Sequence, residues 1–214
     1  MNAILKWLFS IIGLDISYIR NRPKYLDHSH DIQRLTKSNN ICTIFDVGAN
    51  IGDTVENYSS RFPSAKFFAF ELISHTFNIL RSRCVSISNT FIYKTAIGQQ
   101  LSKVEVHYQD SNQHNSLSKD MNLPCPNMEQ SEIVTVETIN SFCKENNISS
   151  IDLLKIDTEG YELEVLKGAS NLLKSASVKF IYIESSFSTS DLRHIPIYKT
   201  IKALSVYNYK FLCL

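Results

Sequence analysis

Ile41-Cys42-Thr43-Ile44-Phe45-Asp46-Val47-Gly48-Ala49-Asn50-Ile51-Gly52-Asp53-Thr54 is the stretch that decides the fold of this chain. A short apolar run rich in β-branched residues ends in an acid. A glycine-containing turn follows, and a polar stretch then opens a helix. Strand, glycine turn and helix in this order begin an α/β nucleotide-binding unit. The turn reads D-x-G-x-N-x-G rather than G-x-G-x-x-G, and the difference bears on the cofactor.

Outward from the turn, strands and helices alternate. Ile41–Val47 reads as the first strand, and Thr54–Arg61 as a helix stopped by Pro63. Lys66–Glu71 is the second strand, Thr76–Arg83 a helix and Thr90–Ile97 the third strand. Lys103–Tyr108 alternates like an added antiparallel strand, and Gln109–Ser131 is a long polar loop of the kind that serves as a lid. Ile133–Val136 reads as a strand, Ile139–Asn146 as a helix and Ile151–Ile156 as the fourth main strand. Tyr161–Lys174 is a helix with Leu163, Leu166, Leu172 and Leu173 on one face. Val178–Glu184 is the fifth strand, and Ile197–Val206 a last helix. The alternation predicts an α/β fold, a mostly parallel sheet with helices on both faces.

Residues 41–214 thus form the main domain, and residues 1–40 an apolar helix and a polar connector containing Pro23. The apolar stretch at residues 4–14 is too short to span a bilayer, and no small-residue cleavage site follows it. Either it packs on this domain or on a sister subunit, as in a homo-oligomer, or it lies at a membrane surface with Trp7 and Lys6 at the headgroups. Lys and Arg number 22 against 21 Asp and Glu, and no basic run is interleaved with aromatics, so nucleic acid is not the expected partner. The five cysteines form no C-x-x-C pair and suit a reduced cytoplasmic location. The six histidines are scattered, and no metal site is expected.

In such a sheet, ligands sit beyond the carboxyl ends of the strands. Asp46, Gly48, Asn50 and Gly52 fall at the end of the first strand, and Glu71 closes the second, where a carboxylate can accept both hydroxyls of a ribose. A diphosphate wants helix N–H groups and little negative charge nearby. Here Asp46 opens the turn and Asp53 follows it. That suits a cofactor with an ammonium and a sulfonium, S-adenosyl-L-methionine, better than a dinucleotide.

A second stretch narrows the reading: Ile151-Asp152-Leu153-Leu154-Lys155-Ile156-Asp157-Thr158-Glu159-Gly160-Tyr161-Glu162-Leu163-Glu164-Val165-Leu166-Lys167-Gly168-Ala169. It closely resembles the signature of the FkbM-type methyltransferases, a strand ending K-I-D, an E-G turn and a helix ending V-L-x-G-A. The turn at Asp46–Gly52, Ala96-Ile97-Gly98 and the Ile181–Glu184 strand resemble the same family, so the likeness runs from Ile41 to the C-terminus. It implies a class I, Rossmann-like methyltransferase fold that methylates a hydroxyl of a sugar, glycan or secondary metabolite. Carried over by position, Asp46, Gly48, Asn50 and Gly52 line the methionine moiety of the cofactor, Glu71 its ribose, and Thr95, Ala96 and Ile97 its adenine. Asp157 lies beside the reactive methyl, and Glu159 and Gly160 shape the substrate mouth. The chain departs from the family at Gln99–Ser102, where an acidic turn containing glycine is usual, and at Leu72, where Pro is common. The fold ordinarily ends with one more strand inserted beside the fifth. Here the expectation is that this strand is absent or that another chain covers the edge.

An alcohol needs a base to take its proton as it attacks the methyl. Asp157 is the candidate, with a structural role as helix cap its competitor. Glu159 and Glu184 could hold or activate the acceptor, and His107 and His114 flank or occupy the long loop. Lys155 either salt-bridges near Asp157 or is a surface lysine at the strand end. An NAD-dependent sugar oxidoreductase and a non-catalytic binding module are the competing functions. The first lacks the third glycine of its fingerprint. Calorimetric titration separates the cofactors: S-adenosylmethionine binds and NAD does not, and the opposite result reverses the choice.

Overall fold

The computed structural model describes residues 28–35, 41–108, 130–191 and 193–212. The apolar stretch at 4–14, His114 and nearly all of the long polar loop lie outside them. Helix α1 is His28–Leu35. Strand β1 (Thr43–Val47) leads into α2 (Asp53–Arg61), then β2 (Lys66–Glu71) and α3 (Ser74–Arg83). Next come β3 (Thr90–Lys94), β4 (Ala96–Ile97), β5 (Ser102–Tyr108) and β6 (Gln130–Glu137). Helix α4 (Ile139–Glu145), β7 (Ile151–Ile156), α5 (Glu162–Gly168), α6 (Ser170–Lys174), β8 (Val178–Ile183) and α7 (Ile197–Ser205) complete the order.

The main sheet has the order β3-β2-β1-β7-β8, and every pair in it is parallel. Its inner strands are buried on both faces, which is why β2 reads as a nearly unbroken apolar run, while β7 is buried throughout although it carries Asp152 and Lys155. On one face Val55 and Tyr58 of α2, Phe62 just after it and Leu80 of α3 pack on Ile44, Phe67, Ala69 and Leu153. On the other, Phe142 of α4 meets the rings of Phe45, Phe68, Phe70 and Tyr93 at steep angles, an arrangement the ring quadrupoles favour. Val165, Leu166 and Leu173 of α5 and α6 extend this second core.

Two expected elements are broken. The strand Thr90–Ile97 divides at Thr95: β3 stays in the main sheet, and β4 pairs with β6 in a second sheet of order β4-β6-β5. Thr95 marks the crossing, its hydroxyl donating to Thr135 O at 2.9 Å. The helix expected over Tyr161–Lys174 is interrupted at Ala169, between α5 and α6. Strand β6 also begins at Gln130, inside the stretch expected to be loop, and pairs antiparallel with β5 along its length. Cys42 lies exposed just before β1 rather than within it. No helix among the described residues is long and apolar enough to cross a membrane.

Glycine allows the joint between the two sheets. A Cβ on Gly168 would sit 2.0 Å from Gly98 O, a backbone atom that cannot swing aside. Gly168→Ala therefore forces α5 away from β4. We expect it to cost about 3 kcal/mol and to lower Tm by roughly 6–12 °C. An unchanged melting curve would mean that the helix is not held so close.

Candidate active site

The register of the parallel sheet builds the site. Val47 is level with Phe70, with Ile156 and, through it, with Ile183. The next residue on each strand is therefore Glu71, Gly48, Asp157 or Glu184, four neighbours in a row beyond the carboxyl edge. All four line one cleft of about 260 Å³. Thr95, Ala96 and Ile97 form its wall where the chain leaves the main sheet, and Asn50, Glu159 and His194 also face it.

Beneath the cleft lies a charged cluster. Lys155 Nζ is 3.1 Å from Asp46 Oδ1 and 3.2 Å from Asp157 Oδ2, and it donates to Gly48 O at 3.3 Å. Asp46 and Lys155 are register partners, and Asp157 is two residues on, so all three project from one face. Lys155 is only 6% exposed, so it is no surface lysine. Burial pushes its pKa down, but the two carboxylates outweigh this and hold the ammonium above its ordinary value. Burial raises the pKa of Asp46, with Lys155 opposing. Apart from Lys155, neither Asp46 oxygen has a hydrogen-bond partner among the described residues.

The turn above this cluster is very close to β7. Gly48 has φ +82°, and a Cβ there would lie 1.8 Å from Asp157 O. Asn50 also takes a left-handed conformation, φ 49°, which asparagine tolerates better than other side chains that carry a Cβ. Its N–H donates to Glu71 Oε2 at 3.0 Å, while Ile73 N–H donates to Oε1 at 2.9 Å. Burial raises the pKa of Glu71, and these backbone donors partly offset it.

The turn after β7 is held in the same way. Glu162 Oε1 accepts from Thr158 N (3.1 Å), Thr158 Oγ1 (3.2 Å) and Gly160 N (3.0 Å). This fixes Glu159 at φ 52°, with its carboxylate 3.5 Å from His194 Nε2. Glu184 Oε1 is also 3.5 Å from that nitrogen. The Glu184 pKa is raised by burial first, then by a hydrogen bond and charge repulsion from Asp157.

Of the candidate residues, the cleft gathers Gly48, Asn50, Glu71, Thr95, Ala96, Ile97, Asp157, Glu159 and Glu184. Asp46 and Gly52 are not on its lining. Asp46 supports the floor through Lys155, and Gly52 starts α2 against Leu80 and Cys84, where a Cβ would be 2.9–3.0 Å from their side chains. His107 lies on β5 and is not among the cleft residues. Sequence reading passed over His194. Its one legible signal is Asp191 three residues before it. Among the described residues, no three acidic, histidine or cysteine side chains are grouped to hold a metal ion.

Lys155→Met removes the cation shared by buried Asp46 and partly exposed Asp157. We expect a loss of about 3–5 kcal/mol at pH 7, because Asp46 is left charged and uncompensated. The sign with pH follows from the raised Asp46 pKa. Stability from a raised carboxyl is present at low pH and lost as pH rises through the folded value, so the variant recovers stability from pH 7 to pH 5. Denaturant unfolding at the two pH values checks this. An equal deficit at both would mean that Asp46 is not the group left stranded.

Comparison with known proteins agrees with this geometry. Residues 46–211 match the family model described as the methyltransferase FkbM domain. The chain is 25% identical over 154 residues to the 2-O-methyltransferase NoeI of Sinorhizobium fredii, covering 67% of this chain and 63% of that protein. It is 26% identical over 153 residues to the hexuronic acid methyltransferase AglP of Haloferax volcanii, covering 70% and 59%. It therefore spans about three-fifths of the length of these curated relatives. The crystal structure of methyltransferase FkbM from Methylobacillus flagellatus KT shares the fold, with a TM-score of 0.50 and 18% identity over 77% of this chain and 37% of that one. With the family model matching well over half of its length, this chain belongs to the FkbM methyltransferase family.

Proposed function

We propose that this domain transfers a methyl group from S-adenosylmethionine to a hydroxyl of a sugar or glycan. The observation that carries the reading is the row of strand ends, which sets Glu71 at one end of a single cleft and Asp157 and Glu184 at the other.

The residues present fit the donor. Each Glu71 oxygen accepts one backbone N–H and keeps lone-pair capacity for a ribose hydroxyl. Gly48 brings the turn against the backbone of Asp157, closer than any side chain would allow. Thr95, Ala96 and Ile97 offer a wall for the adenine, and the carboxylates of Asp157 and Glu184 on the lining suit an ammonium group better than a diphosphate. When bound, S-adenosylmethionine supplies an activated methyl. The chain's own task is to hold the acceptor oxygen about 3 Å from that carbon, in line, and to accept its proton. Glu159 and Glu184 are placed to receive acceptor hydroxyls at the mouth. The names of the two curated relatives, a 2-O-methyltransferase and a hexuronic acid methyltransferase, support a carbohydrate acceptor. A cytoplasmic location, contact with membrane through residues 4–14 and self-association belong to the same reading. The unpaired thiols of Cys84 and Cys143 suit a reducing compartment.

The test is calorimetry with S-adenosylmethionine and NAD, followed by transfer of radiolabelled methyl to methyl glycosides of neutral hexoses, 6-deoxyhexoses and hexuronic acids. S-adenosylmethionine should bind, and at least one glycoside should be labelled. Glu71→Gln should weaken binding at least about 10-fold, since hydrogen bonds to a charged group contribute about 1.5–3 kcal/mol. Binding of NAD alone sinks the reading. Binding of S-adenosylmethionine with no transfer to any glycoside favours a non-catalytic module.

A further inference from the structure

The segment after β8 builds a device that none of the sequence motifs marks. The chain leaves Glu184, loops out and returns beside itself. Ser186 N donates to Ile195 O at 3.1 Å, and Ile197 N donates to Ser186 O at 2.9 Å. The two strands of this neck form a parallel bridge between Ser186 and Pro196. The loop is thus closed at its base before α7 begins.

Inside the loop, Asp191 grips its own backbone and one ring. Its Oδ1 accepts from Arg193 N at 2.9 Å and from His194 N at 3.2 Å. Its Oδ2 lies 3.0 Å from His194 Nδ1. The ring therefore has one nitrogen committed to a carboxylate and the other, Nε2, turned to the cleft. Glu159 and Glu184 flank Nε2 at 3.5 Å, too far for close hydrogen bonds and near enough to stabilise a positive ring. The His194 side chain is 14% exposed, and it lines the same cleft as Asp157.

We infer that His194, oriented by Asp191, is the general base for the acceptor hydroxyl. The inference rests on the methyl-transfer reading above. Asp157, the base expected from sequence, already faces the Lys155 ammonium at 3.2 Å. An imidazole whose Nδ1–H is donated to a carboxylate presents a lone pair at Nε2. The acceptor O–H bond breaks, its proton goes to Nε2, and its electron pair forms the new bond to the methyl carbon. The S–CH3 bond breaks, and its pair returns to sulfur. One positive charge leaves the sulfonium as one appears on the imidazole, between Glu159 and Glu184. Burial lowers the His194 pKa, but Asp191, Glu159 and Glu184 outweigh it and hold it above the ordinary imidazole value. The exposed Arg193 lines the same cleft and opposes this effect. Asp191 is not among the residues lining the cleft and acts through His194, as a positioning residue.

Two measurements on the full chain test this. In the first, nitrogen NMR of wild type with S-adenosylhomocysteine should show His194 protonated at Nδ1 and titrating at Nε2. Asp191→Asn should lower its pKa. A ring protonated at Nε2, or a pKa that Asp191→Asn leaves unmoved, overturns the inference whether or not an acceptor is known. In the second, kcat/KM on the labelled glycoside should fall on the acid side with the His194 pKa. His194→Gln should bind S-adenosylmethionine like wild type, lose about 100- to 10,000-fold in turnover and lose that acid limb. Asp191→Asn should move the limb to lower pH, a change that mere loosening of the loop would not make. An acid limb that persists in His194→Gln at near-normal rate returns the base to Asp157. Failure of wild type to bind S-adenosylmethionine removes the underlying reading, not this assignment alone.

Discussion

One buried ammonium holds the site together. Lys155 is covered by protein, and a lone charge there would cost several kcal/mol. It is tolerable because Asp46 from β1, Asp157 beyond β7 and the carbonyl of Gly48 converge on it. The same convergence pulls the β1–α2 turn against the end of β7, so closely that residue 48 has no room for a side chain. The ion cluster and the glycine are one constraint. Without the glycine the strands could not close on the lysine, and without the lysine the two carboxylates would repel each other.

Around that floor, acidic side chains hold backbone as often as they face the cleft. Glu71 ties the first turn to the start of α3, and Glu162 ties the turn that presents Glu159. Asp152 accepts from Cys42 N and Thr43 N at the opposite end of β1 and pairs with Lys179. Glu132 of β6 accepts from the backbone and hydroxyl of Ser74 at the start of α3 and pairs with Lys94, joining the second sheet to the first. Charge-assisted bonds of this kind are strong and directional. They let turns with several left-handed residues keep one shape, and a cleft that aligns two reactants needs that rigidity.

The second sheet decides the other wall. A straight β3 would carry Thr95–Ile97 along the main sheet. The break at Thr95 instead turns β4 onto β6, beside the cleft. Gly98 and Gly168 let α5 close over that corner. This wall of the cleft thus depends on a contact between segments some seventy residues apart in sequence.

Much of this was legible in the chain. Apolar runs with period-two or helical spacing mark β1, β2, β7 and most helices, since burial on fixed faces imposes those periods. Glycines next to acids mark the strand ends, because only certain residues accept those backbone angles and approaches. What the chain alone determined was the order of elements, the parallel sheet and the row of residues at its carboxyl edge. Tertiary structure decided which members of that row share a cavity, and it placed Asp46 under the floor and Gly52 against α3. It turned Lys155 from an ambiguous strand-end lysine into the ion that ties the floor together, broke the third strand at Thr95, and brought His194 to the cleft that Asp157 lines, from a loop with no periodic pattern. The physical reason is range. Periodicity and turn chemistry report on neighbours a few residues away, whereas an ion cluster or a ring aimed into a cleft exists only after distant strands have set their register.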